Sequence, residues 1–184
     1  SPLSFDKGGM AGMATRPARE ASDYFVRQGT DADGLAADLA TPEQRRRYIA
    51  TFYTSRFWAH PGAFMGDSVA PASPFGGTPQ VDFHTEPFAD GARLRASFGA
   101  YESAFAADRR SEPALLASNP AVRALLLHGA SDHVIYPDFD RMAAVVFPNH
   151  VGPYRLRDCG HFVPWEAPGA LVSGLVALCS DLLG

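Results

Sequence analysis

The sequence predicts an α/β fold in which parallel strands alternate with helices, preceded by a mostly helical region. Three observations carry this. "VRALLLHG" (Val122–Gly129) is a short, continuous apolar run of the kind that forms a strand buried on both faces. After about Asn119 the chain reads strand, helix, strand, helix, which is two successive units of a helix-covered parallel sheet. Before that point the apolar residues recur at three- and four-residue spacing, the signature of helices.

In chain order, Pro17 to Gln28 reads as a helix ended by Gly29 as a C-cap. A second helix starts at Thr41 (N-cap), Pro42 (first helical position) and Glu43 (first turn). In it Tyr48 with Phe52, and Ile49 with Tyr53, form one apolar packing face. The stretch 60–80, "HPGAFMGDSVAPASPFGGTPQ", is rich in Pro, Gly and Ser and keeps neither periodicity, so a long, mobile loop is expected there. A further helix is expected from near Ala89, carrying Leu94, Phe98, Tyr101 and Phe105 and broken by "RRSEP". Then come the strand 122–129, the helix "DFDRMAAVVF" (138–147), the strand "GPYRLRD" (152–158) and a closing amphipathic helix over 166–184. Two strands do not make such a sheet alone, so the domain is expected to be incomplete.

The chain has 184 residues, 46% hydrophobic and 20% charged, with a net charge of −4 from dispersed acids. Its 16 Lys and Arg are outnumbered by 20 Asp and Glu and form no stripe, which argues against nucleic acid. Arg45, Arg46 and Arg47 read as a solvated helix face rather than a phosphate contact. No window reaches the ~18 apolar residues of a membrane span. Cys159 and Cys179 read as free thiols in a reducing compartment, which with the lack of a signal pattern suggests the cytoplasm. No Cys/His ligand spacing occurs, so neither a metal nor another cofactor is expected.

The chemistry concentrates at two strand ends. Open α/β sheets place reacting groups just past the carboxyl ends of their strands. Asp132 follows the strand in "LLLHGASDHVIYP", and His161 follows the next in "LRDCGHFVPWEAP", so both side chains should reach the same rim. A carboxylate bonded to one ring nitrogen of His161 fixes the tautomer and stabilises the imidazolium when the other nitrogen takes a proton. Gly160 is expected to let the backbone turn sharply before the histidine.

These two stretches resemble the last strand-end motifs of the α/β-hydrolase superfamily, whose chain order is nucleophile, acid, histidine. "DYFVRQG" and "EPFADGARLRASFGAYESAF" are similar to the helical cap of its epoxide hydrolase and dehalogenase branch, and "SPL" at the start is similar to the segment where that cap is inserted. The resemblance implies a cap over 1–118 and the C-terminal half of the core over 119–184. It also implies a nucleophile elbow, of G-x-S-x-G type or its Asp equivalent, which the sequence lacks: Ser131 stands near a glycine but in no such turn. The expectation is therefore a hydrolase truncated just before its cap, with the nucleophile upstream and this chain alone inactive.

The resemblance further implies that Tyr101 donates its phenolic proton to an epoxide oxygen; the plain alternative is that it only packs in the Leu94, Phe98, Phe105 stripe. Tyr24 lies near a second cap tyrosine of epoxide hydrolases, but aligning Gly29 with the family glycine leaves Ala21 at that position. Trp165, with Phe162, is a candidate pocket wall or a packing residue of the final helix. His133 reads as a rim or surface histidine, His84 and Trp58 as residues with no pattern that ranks them, and Cys159 as an inert thiol. The expected function is hydrolysis of a small molecule. With an Asp nucleophile His161 activates water against an alkyl-enzyme ester; with Ser the enzyme is an esterase or lactonase. The reading from another class is an inactive fragment or partner-dependent module, associating through an unpaired sheet edge.

Overall fold

Thr41 and Gln44 start the longest of the described helices by a reciprocal exchange: the Gln44 N–H donates to Thr41 Oγ1 (3.1 Å) and the Thr41 N–H donates to Gln44 Oε1 (2.9 Å). In the computed structural model this helix, α3, runs Pro42–Thr54, after α1 (Asp23–Thr30) and α2 (Ala32–Asp38). The structure describes residues 23–64, 74–75, 78–105, 118–134, 143–144 and 146–182. Within them the chain divides into two compact units, one built from 23–53 with 74–75 and 78–105, the other from Thr54–Phe64 with 118–182.

The helical unit continues with α4 (Pro79–Thr85), a 3₁₀ turn (Glu86–Ala89), α5 (Gly91–Ser97) and α6 (Gly99–Phe105). Leu94 and Phe98 are fully buried and meet Ala32, Leu35 and Ile49 in one core, with Tyr48, Phe52 and Tyr53 packed on it. The apolar face of α3 is thus core packing. The single helix expected through Leu94 and Phe105 is two: Asp90 caps α5 by accepting the Ala92 and Arg93 N–H groups, and α5 ends at Phe98 before Gly99. Glycine is a poor helix residue, while the spacing of the apolar stripe passes through the break unchanged. Arg95 spans that break, meeting Glu102 with two 2.8 Å bonds and Asp33 at 2.6 Å.

Two expectations in this unit are corrected. Gly29 is not a cap beyond the helix but lies inside α1; a Cβ there would stand 2.1 Å from the Phe105 ring and 3.0 Å from the Tyr101 carbonyl, so glycine serves the close approach of α1 and α6. The Arg45–Arg47 run is not one solvated face. Arg45 donates to the carbonyls of Leu39, Ala40 and Ala89, closing the end of α2 and the 3₁₀ turn. Arg46 pairs with Asp82 and lies 4.4 Å over the Phe75 ring, and only Arg47, paired with Glu43, is a solvated position.

In the other unit β1 (Ala124–Gly129) and β2 (His150–Leu156) pair in parallel, as the strand-helix-strand order predicts. Ala124 faces His150 but Leu127 faces Tyr154, so β2 carries one extra residue, a bulge at Gly152, whose φ of +93° suits glycine alone. The two faces of β1 are covered from different sides. Leu126 packs with Ala143 and Phe147, whereas Leu125 lies against Gly174 of the last helix, where a Cβ would come within 2.6 Å. A short helix, α7 (Val163–Glu166), precedes this last helix, α8, which spans Pro168–Leu178 instead of the expected 166–184 and is followed by a 3₁₀ turn at Ser180–Leu182. α8 is also not amphipathic, because Val172, Leu175 and Val176 stand 45–59% exposed.

Of the loop expected over 60–80, residues 65–73 and 76–77 lie outside the described residues, 61–64 are turns, and Pro79 with Gln80 opens α4. Residues 17–22, the "SPL" and "RRSEP" segments, and 138–142 with 145 of the expected central helix also lie outside them. No helix among the described residues is long and apolar enough to cross a membrane.

Candidate active site

Asp132 and His161 meet. The turn after β1 is closed by the Asp132 N–H on the Gly129 carbonyl (3.1 Å), and Asp132 Oδ1 accepts the Val134 N–H at 2.7 Å. The other oxygen, Oδ2, lies 3.0 Å from His161 Nδ1. The Asp132 side chain is only 3% exposed and that of His161 is 30% exposed. With Nδ1 donating to a buried carboxylate, Nε2 is the ring nitrogen left able to accept a proton.

The loop carrying the histidine is fitted to its surroundings atom by atom. A Cβ on Gly129 would stand 2.0 Å from the Gly160 carbonyl oxygen and 2.6 Å from that of Cys159. A Cβ on Gly160 would stand 2.5 Å from the Trp58 carbonyl oxygen and 2.7 Å from the His60 nitrogen. Gly160 has no positive φ, so the sharp turn expected there is not its role; lack of space is. The left-handed residue is Asp158, at φ +54°, in the turn after β2.

Trp58 meets His161 edge-to-face at 4.8 Å and is stacked with Phe162 at 6.0 Å. Phe64 meets the other ring from the edge at 5.6 Å. Sequence reasoning left Trp58 unranked, because nothing local to it signals that residues about 100 positions apart in the chain come together. Trp165, on α7, is 40% exposed. His133 is exposed and its N–H donates to the Phe57 carbonyl at 3.2 Å.

Cys159 is fully buried, and burial, with the nearby Glu166 and Asp132 carboxylates, pushes its thiol up to about 11. It stays protonated at neutral pH and is inert, as its place at a strand end suggests.

Tyr101 belongs to the helical unit. Its ring is half-buried and edge-to-face with Tyr24 (6.1 Å) and Phe25 (5.5 Å), and burial raises its phenol above the ordinary range. Two tyrosines therefore stand side by side, although the alignment on Gly29 placed Ala21 where the second was expected. His84 is stacked on Tyr53 at 5.0 Å, and burial lowers its pKa.

No family model matches the sequence, and no curated protein does. Among solved structures, the epoxide hydrolase CorEH without ligand matches with a TM-score of 0.67 at 14% sequence identity. The match covers 88% of this chain and 51% of that one, so this chain spans about half the length of the structure it resembles. At that identity the likeness is one of fold: a helix-rich chain with two parallel strands, similar to about half of an epoxide hydrolase.

Proposed function

We propose that the chain is the cap and C-terminal half of an α/β-hydrolase-type enzyme of the epoxide hydrolase or dehalogenase-like branch, in which Asp132 orients His161 as general base. The observation that supports this most is the 3.0 Å approach of His161 Nδ1 to a nearly buried Asp132 carboxylate at adjacent strand ends. The nucleophile comes from residues outside these 184. In this reading a carboxylate nucleophile opens an epoxide or displaces a halide to form an alkyl-enzyme ester. His161 Nε2 then takes a proton from the water that attacks the ester, and Asp132 stabilises the imidazolium. Tyr101, whose phenol burial raises above its ordinary range, donates its phenolic proton to the epoxide oxygen. A serine nucleophile in the same place makes the enzyme an esterase or lactonase, with His161 as base for the serine itself.

The test is His161→Gln in the longer protein that carries the nucleophile. With an epoxide substrate, turnover should vanish while a covalent adduct of enzyme plus substrate mass accumulates, since ester formation does not need the base and its hydrolysis does. Absence of an adduct in intact-protein mass spectrometry counts against the carboxylate route.

A second reading, a module that relies on a partner, draws on a different observation. Val172, Leu175 and Val176 give α8 an exposed apolar face, and exposed apolar patches associate. Size-exclusion chromatography of these 184 residues should then show self-association that Val172→Ser with Val176→Ser reduces. A clean monomer with measurable hydrolysis sinks this reading.

A further inference from the structure

We propose that Glu166 is a positioning residue for His161, acting by locking the Phe57–His60 segment against the loop that carries the histidine. The inference rests on the reading of Asp132 and His161 as the catalytic pair. Glu166 ends α7, and both its oxygens are occupied by backbone donors. Oε2 accepts the Gly160 N–H at 2.7 Å and the His60 N–H at 2.9 Å, and Oε1 accepts the Phe162 N–H at 3.0 Å. Bonds from N–H groups to an ionised carboxylate are roughly twice as strong as neutral ones.

The His161 N–H donates to the Trp58 carbonyl at 2.7 Å, so the three consecutive N–H groups of Gly160, His161 and Phe162 are all committed. Two of them are held by Glu166 and the third by the segment that Glu166 also holds. The same segment reaches the acid: the His133 N–H donates to the Phe57 carbonyl at 3.2 Å, and His60 Nδ1 lies 2.9 Å from Ser131 Oγ. The spacing between Asp132 and His161 is thereby set by the backbone on both sides and not by their own hydrogen bond alone. A base held in this way needs no reorganisation before it acts, which is what keeps a catalytic geometry within tenths of an ångström.

The experiment is proton NMR of the chain labelled at histidine nitrogen. The His161 Nδ1 proton shared with Asp132 is identified as the downfield imidazole signal lost in both His161→Gln and Asp132→Asn. In Glu166→Ala its exchange with water should accelerate about tenfold or more, while amide signals of β1 and β2 away from the loop keep their exchange rates. Glu166→Gln, which retains one acceptor oxygen and the side-chain volume, should fall between Ala and the parent, and it carries the test if the alanine variant does not fold. Unchanged exchange of the Nδ1 proton overturns the positioning role alone. Equal acceleration throughout both strands also overturns it, since Glu166 would then support the unit in general. A parent protein with no such proton overturns the catalytic-pair reading and this inference together.

Discussion

Under the proposed reading, Asp132→Asn in the longer enzyme that supplies the nucleophile is expected to lower kcat on the order of 10⁴-fold, the scale on which replacing a triad carboxylate by its amide acts. The local hydrogen bonds explain why an isosteric change is so costly. Asp132 presents two acceptor oxygens, one to the Val134 N–H and one to His161 Nδ1. Asparagine has a single carbonyl oxygen. If that oxygen keeps the Val134 N–H, its amide NH₂ faces Nδ1 and selects the tautomer with the proton on Nε2, which cannot accept a proton from water. If it turns to His161, the Val134 N–H faces a donor. Steady-state rates with an epoxide and with an ester, compared at equal folded fraction, check this. A loss below about tenfold would show that Asp132 does not set the tautomer and that another group supports the base.

Gly129→Ala is expected to destabilise the sheet-bearing unit by about 3 kcal/mol, and to weaken the site with it. The added Cβ falls 2.0 Å from the Gly160 carbonyl oxygen and 2.6 Å from that of Cys159, both backbone atoms that cannot rotate away. Relief requires the end of β1 and the histidine loop to separate, which also strains the 2.8 Å bond from the Ser131 N–H to the Cys159 carbonyl. The denaturant midpoint should fall at little-changed slope, and the Asp132–His161 bond should weaken in step. A change under about 0.5 kcal/mol would mean that the two loops yield freely and that the close approach is not required.

The acid and histidine were legible because each is signalled locally. An apolar run marks β1, "RLRD" marks the end of β2, and Asp132 and His161 sit a few positions past each. Tyr101 was legible as part of a stripe, but the stripe's spacing says nothing of the break before Gly99, nor that Tyr24 comes alongside it. Gly160 suggests a sharp turn because glycine most often supplies φ freedom; the absence of space beside Trp58 and His60 is a fact about a distant segment. Glu166 carried no signal at all, since its partner His60 lies 106 positions away and its other partners are backbone groups that any residue type would offer.

Composition, periodicity and strand-end placement therefore determined by themselves the change from helices to alternating strands and helices, the parallel sense of β1 and β2, and the placement of Asp132 and His161 just past the two strand ends. These depend on patterns within a few residues, where side-chain period and backbone direction are the same physics. What the tertiary structure decided was the 3.0 Å contact itself and the segment that holds it. It also decided which glycines stand where no side chain fits and which arginine closes helix ends. Those depend on which remote backbone comes within hydrogen-bonding or van der Waals range, a quantity that exists only once the chain has packed.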